Sequence, residues 1–301
     1  MDIAVTGSTG LIGTRLVSAL RDGGHRVLAM VRPSTSGSGT GSGDTISWDP
    51  DAGTIDAAGL EGVDAVVHLA GVGIADSRWT DEQKGRILRS RTAGTTLLAD
   101  TLAKLDRPPS VLLSGSAIGY YGDHGDRLVD ESASAGDDFP ARVCQQWEDS
   151  ASAAVEAGLR VAFLRTGIVQ STDGGALAKQ LPFFRLGLGG RAGSGRQYVS
   201  WISIDDEVRA IEFLLTADVH GPVNLVAPEP VTNGEYTKVL GSVLHRPTTI
   251  LPMIGPRLLY GRELADSLLL TSQRCVPAAL VEAGFEFEHP ELRGALESLL
   301  A

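Results

Sequence analysis

Val5-Thr6-Gly7-Ser8-Thr9-Gly10-Leu11-Ile12-Gly13 is the stretch whose reading decides the fold, because it lies where an apolar strand over residues 2–5 gives way to a helix starting near Leu11. Gly7 permits a tight turn, Gly10 removes the Cβ that would keep a pyrophosphate off the backbone, and Gly13 lets the helix pack closely on the strand. The helix N-terminus adds free N–H groups and the positive end of its dipole at the same place. This is a phosphate-binding turn, with Gly7, Ser8, Thr9, Gly10, Leu11, Ile12 and Gly13 as candidate cofactor-binding residues. Its spacing, G-x-x-G-x-x-G, differs from the G-x-G-x-x-G of the ordinary dinucleotide fold, and a plain strand-turn-helix with glycine punctuation is the alternative. The context favours the first reading, since this is the first strand of the chain and a second follows the helix.

Working outward, the helix over residues 11–21 carries Leu11, Ile12, Leu16, Val17 and Leu20 on one face and closes at Gly23-Gly24. The next strand, residues 25–31, ends in Val31 and Arg32 where an NAD site places an acid for the ribose 2′-hydroxyl. Arg32 suits a 2′-phosphate instead, which points to NADP(H); a solvated arginine at a strand end is the bland alternative. Residues 34–43 contain only Ser, Thr and Gly, the composition of a flexible connection. A buried strand over residues 65–69 ends in Ala70-Gly71, so Leu69, Ala70 and Gly71 join the cofactor candidates at the edge where open parallel sheets bind ligands. His68 reads as a packed strand histidine.

Thr80, with Gln83 three residues on, starts a helix reaching about Lys104. A strand over residues 110–114 opens into Gly115-Ser116-Ala117-Ile118-Gly119-Tyr120-Tyr121-Gly122, one long helix is expected over residues 139–157, and a strand over 160–164 follows. Such alternation predicts an α/β fold, a doubly wound and mostly parallel sheet. Beyond Arg165 the pattern loosens, giving a nucleotide-binding domain over residues 1–165 and a smaller, partly interleaved substrate region over 166–301, with a distinct closing segment at about 248–298. Asp205-Asp206 are expected to cap and charge a helix reaching Leu215.

The chain has 301 residues, 43% hydrophobic and 21% charged, with a net charge of −11. That balance argues against nucleic-acid or anionic-membrane partners, which need a basic footprint, so any anion must be bound locally. Cys144 and Cys275 match neither a disulfide framework nor a zinc pattern, the six histidines lack ligand spacing, and no metal is expected. No cleavable leader and no run of the ~18 apolar residues a membrane helix needs is evident, which fits a reducing cytoplasmic setting.

Several further motifs carry a resemblance: His68-Leu69-Ala70-Gly71, Ser116 to Gly122 with its Tyr120-Tyr121, Cys144-Gln145-Gln146-Trp147-Glu148, Trp201-Ile202-Ser203-Ile204-Asp205-Asp206 and Gly284-Phe285-Glu286-Phe287. Together with the glycine turn they resemble the extended short-chain dehydrogenase/reductase superfamily, and within it the atypical YfcH-like "epimerase family". The resemblance implies a Rossmann-like domain, an NADP(H) site that also involves Arg91, Ser114 and Arg165, a small-molecule substrate, and a homodimer through the two long helices. It also implies a Ser, Tyr, Lys catalytic set. Ser116 falls on the serine, but aligning Glu148 puts Pro140 at the tyrosine and Cys144 at the lysine, so the usual proton-transfer mechanism does not carry over. The substrate-gripping arginine is also missing, its place taken by Val199-Ser200, with Arg196 nearby.

The candidate catalytic residues are therefore Ser116, Tyr121, Tyr120 and Cys144, and the candidate substrate residues Arg196 and Trp201. Each has a bland alternative: Tyr121 lines or packs the site, Cys144 is a small apolar group on a helix, Trp201 is pocket wall or core. Two functions stand. One is an oxidoreductase or epimerase on a small carbonyl or hydroxyl compound, sugar-derived compounds included; the other is a cofactor-binding sensor or interaction module without catalysis.

Overall fold

A computed structural model describes residues 1–33 and 44–301; the expected flexible connection at 34–43 lies outside the described residues. The strands are β1 Asp2–Thr6, β2 Arg26–Val31, β3 Thr45–Asp49, β4 Thr54–Ile55, β5 Ala65–His68, β6 Val111–Ala117, β7 Leu128–Val129, β8 Arg160–Thr166, β9 Ile168–Gln170, β10 Gly190–Ala192, β11 Tyr198–Val199, β12 Trp201–Ser203, β13 Gly221–Leu225, β14 Val231–Thr232, β15 Thr249–Leu251 and β16 Arg274–Cys275. The helices are α1 Leu11–Asp22, α2 Asp81–Leu102, α3 Phe139–Asp149, α4 Ser152–Glu156, α5 Gly175–Arg185, α6 Ile204–Thr216, α7 Asn233–Val243, α8 Ile254–Tyr260, α9 Arg262–Leu270, α10 Ala278–Glu282 and α11 Leu292–Leu300.

Eight strands form the central sheet in the order β13-β8-β6-β5-β1-β2-β3-β4, parallel except for the edge strand β4. The chain runs outward through β2 and β3 on one side of β1 and returns to β5 on the other. This reversal between β1 and β5 is the switch point at which open α/β sheets bind ligands. Strand alternation divides the sheet side chains between two cores. Ile3, Val5, Leu113, Leu164 and Leu225 pack with α1 and α6 through Leu16 and Ile211. Ala4, Val66, Leu112 and Val161 pack with α2 and α4 through Leu98 and Ala154. A separate core joins α5, α7 and α11 around Leu181, Leu240 and Leu296.

Local chemistry explains most element boundaries. Thr80 Oγ1 accepts the Gln83 N–H at the start of α2, and Asp138 accepts the Ala141 N–H at the start of α3, which has Pro140 in its first turn. The single helix expected over 139–157 is two: α3 stops at Asp149, Ser150 Oγ donates to the Gln146 carbonyl, and α4 resumes at Ser152. Strand β6 extends three residues further than expected, to Ala117. The start of α6 is also corrected, because Ser203 is its cap, accepting the Asp206 N–H. Asp206 instead accepts from Arg209 and from the Glu288 and His289 amides, fastening the closing segment, while Asp205 meets Arg15 of α1.

The α8–α9 hairpin contrasts with the sheet. No side chain of α8 is buried, and Ile254, Leu258 and Leu259 are exposed. Arg78 donates to the carbonyls of Leu258 and Leu259, and Lys84 Nζ bonds both Glu263 oxygens at 2.7 Å, so the hairpin is moored to the start of α2.

Candidate active site

The glycine turn leaves β1 at the switch point. Gly7 has a φ of 66°, and a Cβ there would lie 2.8 Å from the Leu69 carbonyl carbon; one on Gly13 would lie 2.1 Å from Gly7 O. These two glycines are demanded by the chain's own packing. Gly10 is different. It is exposed, and a Cβ on it would meet only Gly7 O, at 3.3 Å. It sits as the residue before the first turn of α1, with no side-chain cap. The open amides there and the unobstructed approach at Gly10 fit a pyrophosphate.

A neutral polar chain backs this turn. Thr6 Oγ1 accepts the Leu69 and Ala70 amides at 3.0 and 3.2 Å and lies 2.7 Å from His68 Nδ1. His68 Nε2 lies 2.9 Å from Thr95 Oγ1 on α2, which also accepts the Trp147 indole N–H of α3 at 3.0 Å. Trp48 packs edge-on to the imidazole. Burial pushes the His68 pKa down to about 4, so the ring is neutral. Gly115 lets Trp147 into this layer, since a Cβ on it would lie 2.8 Å from the indole Cζ2.

An ionic chain follows along the same sheet face. Ser116 of β6 is in register with Arg165 of β8. Ser116 Oγ donates to Glu148 Oε1 at 2.6 Å, while Arg165 holds both Glu148 oxygens at 2.9 and 2.8 Å. The side chains of this pair are only 4% and 10% exposed. Arg165 also donates to the Tyr121 hydroxyl at 3.0 Å, and that hydroxyl donates to Asn224 Oδ1 at 2.7 Å. Tyr120 covers the guanidinium, with its ring centroid 3.5 Å from Cζ. Burial opposes the Arg165 charge, but Glu148 outweighs it and its pKa is raised.

The expected site residues separate accordingly. Ser116, Tyr120, Tyr121 and Arg165 come together, but Tyr121 is 1% exposed, its hydroxyl is occupied on both sides, and burial raises its pKa, so it has no free proton to offer. Cys144 is buried and pushed up to about 12 by that burial and then by Glu148, which keeps the thiol protonated. Arg165 faces Glu148 and the tyrosines, in a chain of side-chain contacts rather than at the glycine turn. Trp201 is corrected from substrate contact to core: it is 0% exposed and its indole donates to the Glu229 carbonyl. Ser114 is fully buried on β6, with no partner for its hydroxyl among the described residues. Arg91 supports the Gly71-Val72 loop from below, donating to the Val72 carbonyl at 2.9 Å and stacking on Trp147. Arg32 and Arg196 are exposed, Arg32 beside Asp51 at 3.1 Å.

Glu148 and Asn224 were the residues that sequence reasoning left without a role. Glu148 stood in a quoted motif only as an alignment marker. Asn224 had a signal: a lone amide inside the apolar strand Gly221–Leu225 needs a buried partner. A cavity of about 290 Å³, lined by none of Ser116, Tyr120, Tyr121, Glu148 and Arg165, opens between Trp79, Phe139 and Pro140 on one side and Glu263, Asp266 and Leu270 of α9 on the other.

The NAD dependent epimerase/dehydratase family profile matches residues 3–227, and a domain of unknown function, DUF1731, matches residues 251–299. An epimerase family protein of Mycobacterium bovis is 45% identical over 98% of this chain and 96% of its own. The crystal structure of human epimerase family protein SDR39U1 (isoform 2) with NADPH superposes with a TM-score of 0.89 at 34% identity, covering 99% of each chain. A nucleoside-diphosphate sugar epimerase structure from Corynebacterium glutamicum has a TM-score of 0.78 at 36% identity, covering 99% of this chain and 58% of that one.

Proposed function

The chain belongs to the NAD-dependent epimerase/dehydratase family, and from that premise we propose that it is an NADP(H)-dependent oxidoreductase or epimerase acting on a small carbonyl or hydroxyl compound. The observation that carries the reading is the Ser116–Glu148–Arg165 chain at the carboxyl end of β6, on the ligand-binding edge of the sheet. The NADPH in the human relative supports the choice of cofactor, together with Arg32 at the end of β2 and the absence of an acid there.

The chain's residues divide the work. The Gly10 edge of the turn and the α1 N-terminus receive the pyrophosphate, Leu69 to Gly71 line the cofactor's flank, and Arg32 leaves Asp51 for the 2′-phosphate. The bound nicotinamide supplies or accepts the hydride. Ser116 has its proton directed at Glu148, so its oxygen accepts a hydrogen bond from a substrate hydroxyl, and proton movement runs between that hydroxyl, Ser116 Oγ and Glu148. Arg165 holds Glu148 in place by donating to both of its oxygens. Pro140 beside the cavity supplies shape and no proton.

A small substrate suits the 290 Å³ cavity with its acidic rim of Asp123, Asp138, Glu263 and Asp266 better than a nucleoside diphosphate does. The other end of the expected phosphate grip offers Val199 and Ser200, whose hydroxyl donates to the Gln273 carbonyl. A non-catalytic cofactor-binding role is the second reading, favoured by Pro140 and the buried Cys144. NADPH oxidation over a panel of small aldehydes and ketones, with Ser116→Ala alongside, tests between them. Turnover lost in Ser116→Ala supports the enzyme; NADPH binding without turnover of any panel member selects the second reading.

A further inference from the structure

Hydrogen-bond capacity fixes the state of the imidazole that no step above uses. Thr6 Oγ1 has two lone pairs, and the Leu69 and Ala70 amides occupy both. At 2.7 Å from His68 Nδ1 the Thr6 hydroxyl must therefore be the donor and Nδ1 the acceptor. The ring proton is then on Nε2, directed to Thr95 Oγ1 at 2.9 Å. A proton on Nδ1 would face an oxygen with no lone pair left and would displace one of the two amides.

We propose that His68 is a positioning residue, which holds the Thr6 hydroxyl in the one rotor that anchors the Leu69-Ala70 backbone, and through Thr95 and Trp147 joins that loop to the helix bearing Glu148. The proposal rests on the cofactor reading only for its effect on binding; the anchoring itself belongs to the free protein. Without a directed acceptor the Thr6 hydroxyl turns, one lone pair leaves the loop, and two part-buried amides at the cofactor's flank share one partner. The loop carrying Leu69 to Gly71 then samples other positions before each binding event.

The test uses the full chain with Thr6→Val, which keeps the shape without the hydroxyl, Thr6→Ser, His68→Leu, and His68→Asn, whose amide oxygen stands near the Nδ1 place. Thr6→Val and His68→Leu are expected to speed hydrogen exchange at the Leu69 and Ala70 amides and to weaken NADPH binding about tenfold, the worth of one hydrogen bond to a buried amide. Thr6→Ser and His68→Asn should restore both within a factor of about three. Nitrogen-15 spectra of the unmodified chain should show His68 as the Nε2–H tautomer, a readout that survives any variant failing to fold. An Nδ1–H tautomer, or unchanged exchange at both amides in Thr6→Val, overturns the proposal. Wild-type protein that ignores NADPH while exchange responds as expected would sink the cofactor reading and leave the anchor standing.

Discussion

The two polar chains that share one face of the sheet are built on opposite principles. The chain from Thr6 through His68 and Thr95 to Trp147 contains no charge, and every step is a neutral hydrogen bond. The chain from Ser116 through Glu148, Arg165 and Tyr121 to Asn224 is organised by a buried ion pair. Adjacent residues of α3, Trp147 and Glu148, anchor one each. A neutral chain fixes geometry without a buried charge; an ionic one keeps a carboxylate available to a hydroxyl at the cost of two desolvated charges.

The largest test breaks the ionic chain. Glu148→Ala leaves Arg165 buried without its partner and should destabilise the fold by about 3–5 kcal/mol in urea unfolding. Glu148→Gln keeps the shape and should cost less than half of that; equal losses would mean that shape and not charge holds this centre.

The buried acid Glu207 sharpens the contrast, because no cation among the described residues pairs with it. Glu207 accepts from Thr166 Oγ1 at 2.9 Å, its second oxygen has no partner among the described residues, and burial raises its pKa to about 8. The folded chain keeps this proton while the unfolded chain loses it above the ordinary value of 4.5. Its contribution is therefore full below that value and is lost as pH rises through about 8. Glu207→Gln should gain about 4 kcal/mol more at pH 9 than at pH 5, measured as urea midpoints. His68 acts in the opposite sense, since its lowered pKa costs stability as pH falls from the ordinary 6.5 toward about 4.

Neither chain touches Arg32, so cofactor choice should be separable from both. Arg32→Ala is expected to weaken NADPH binding about tenfold, or ~1.4 kcal/mol, and to leave NADH binding unchanged by calorimetry. Equal losses for the two cofactors would move the 2′-phosphate contact elsewhere. The smallest effect concerns Tyr121. Tyr121→Phe should cost about 1 kcal/mol of stability by leaving Asn224 Oδ1 short of a donor, with turnover reduced only a few-fold. A hundredfold loss of turnover in a folded variant would make this phenol the acid after all.

The parallel half of the molecule was legible because its signals are local. Glycine at the turn, apolar periodicity in α1 and the Thr80 cap each act within a few residues, and the structure has them as expected. The α3–α4 break was not, as no glycine or proline marks it and Ser150 acts through a bond visible only once the helix exists. Site chemistry fared differently. Ser116 was marked by its place on the resembled family's serine, whereas the burial of Trp201, the saturation of Tyr121 and the contacts of Glu148 depend on Arg165, Asn224 and Glu229, brought from distant segments. A tyrosine or cysteine in a promising loop says nothing of the groups that will occupy its hydroxyl or bury its thiol.

Gly115 has a consequence for how this chain can vary. Its Cα faces the Trp147 indole so closely that an added methyl would also lie 3.1 Å from the His68 carbonyl oxygen. Glycine and tryptophan are thus a matched pair of sizes across two elements. Single substitutions cannot exchange them in either order without passing through a clash or a hole, and the hole also takes from the Thr95 hydroxyl one of its two donors. Among relatives that carry this pair, the two positions are expected to change together or not at all.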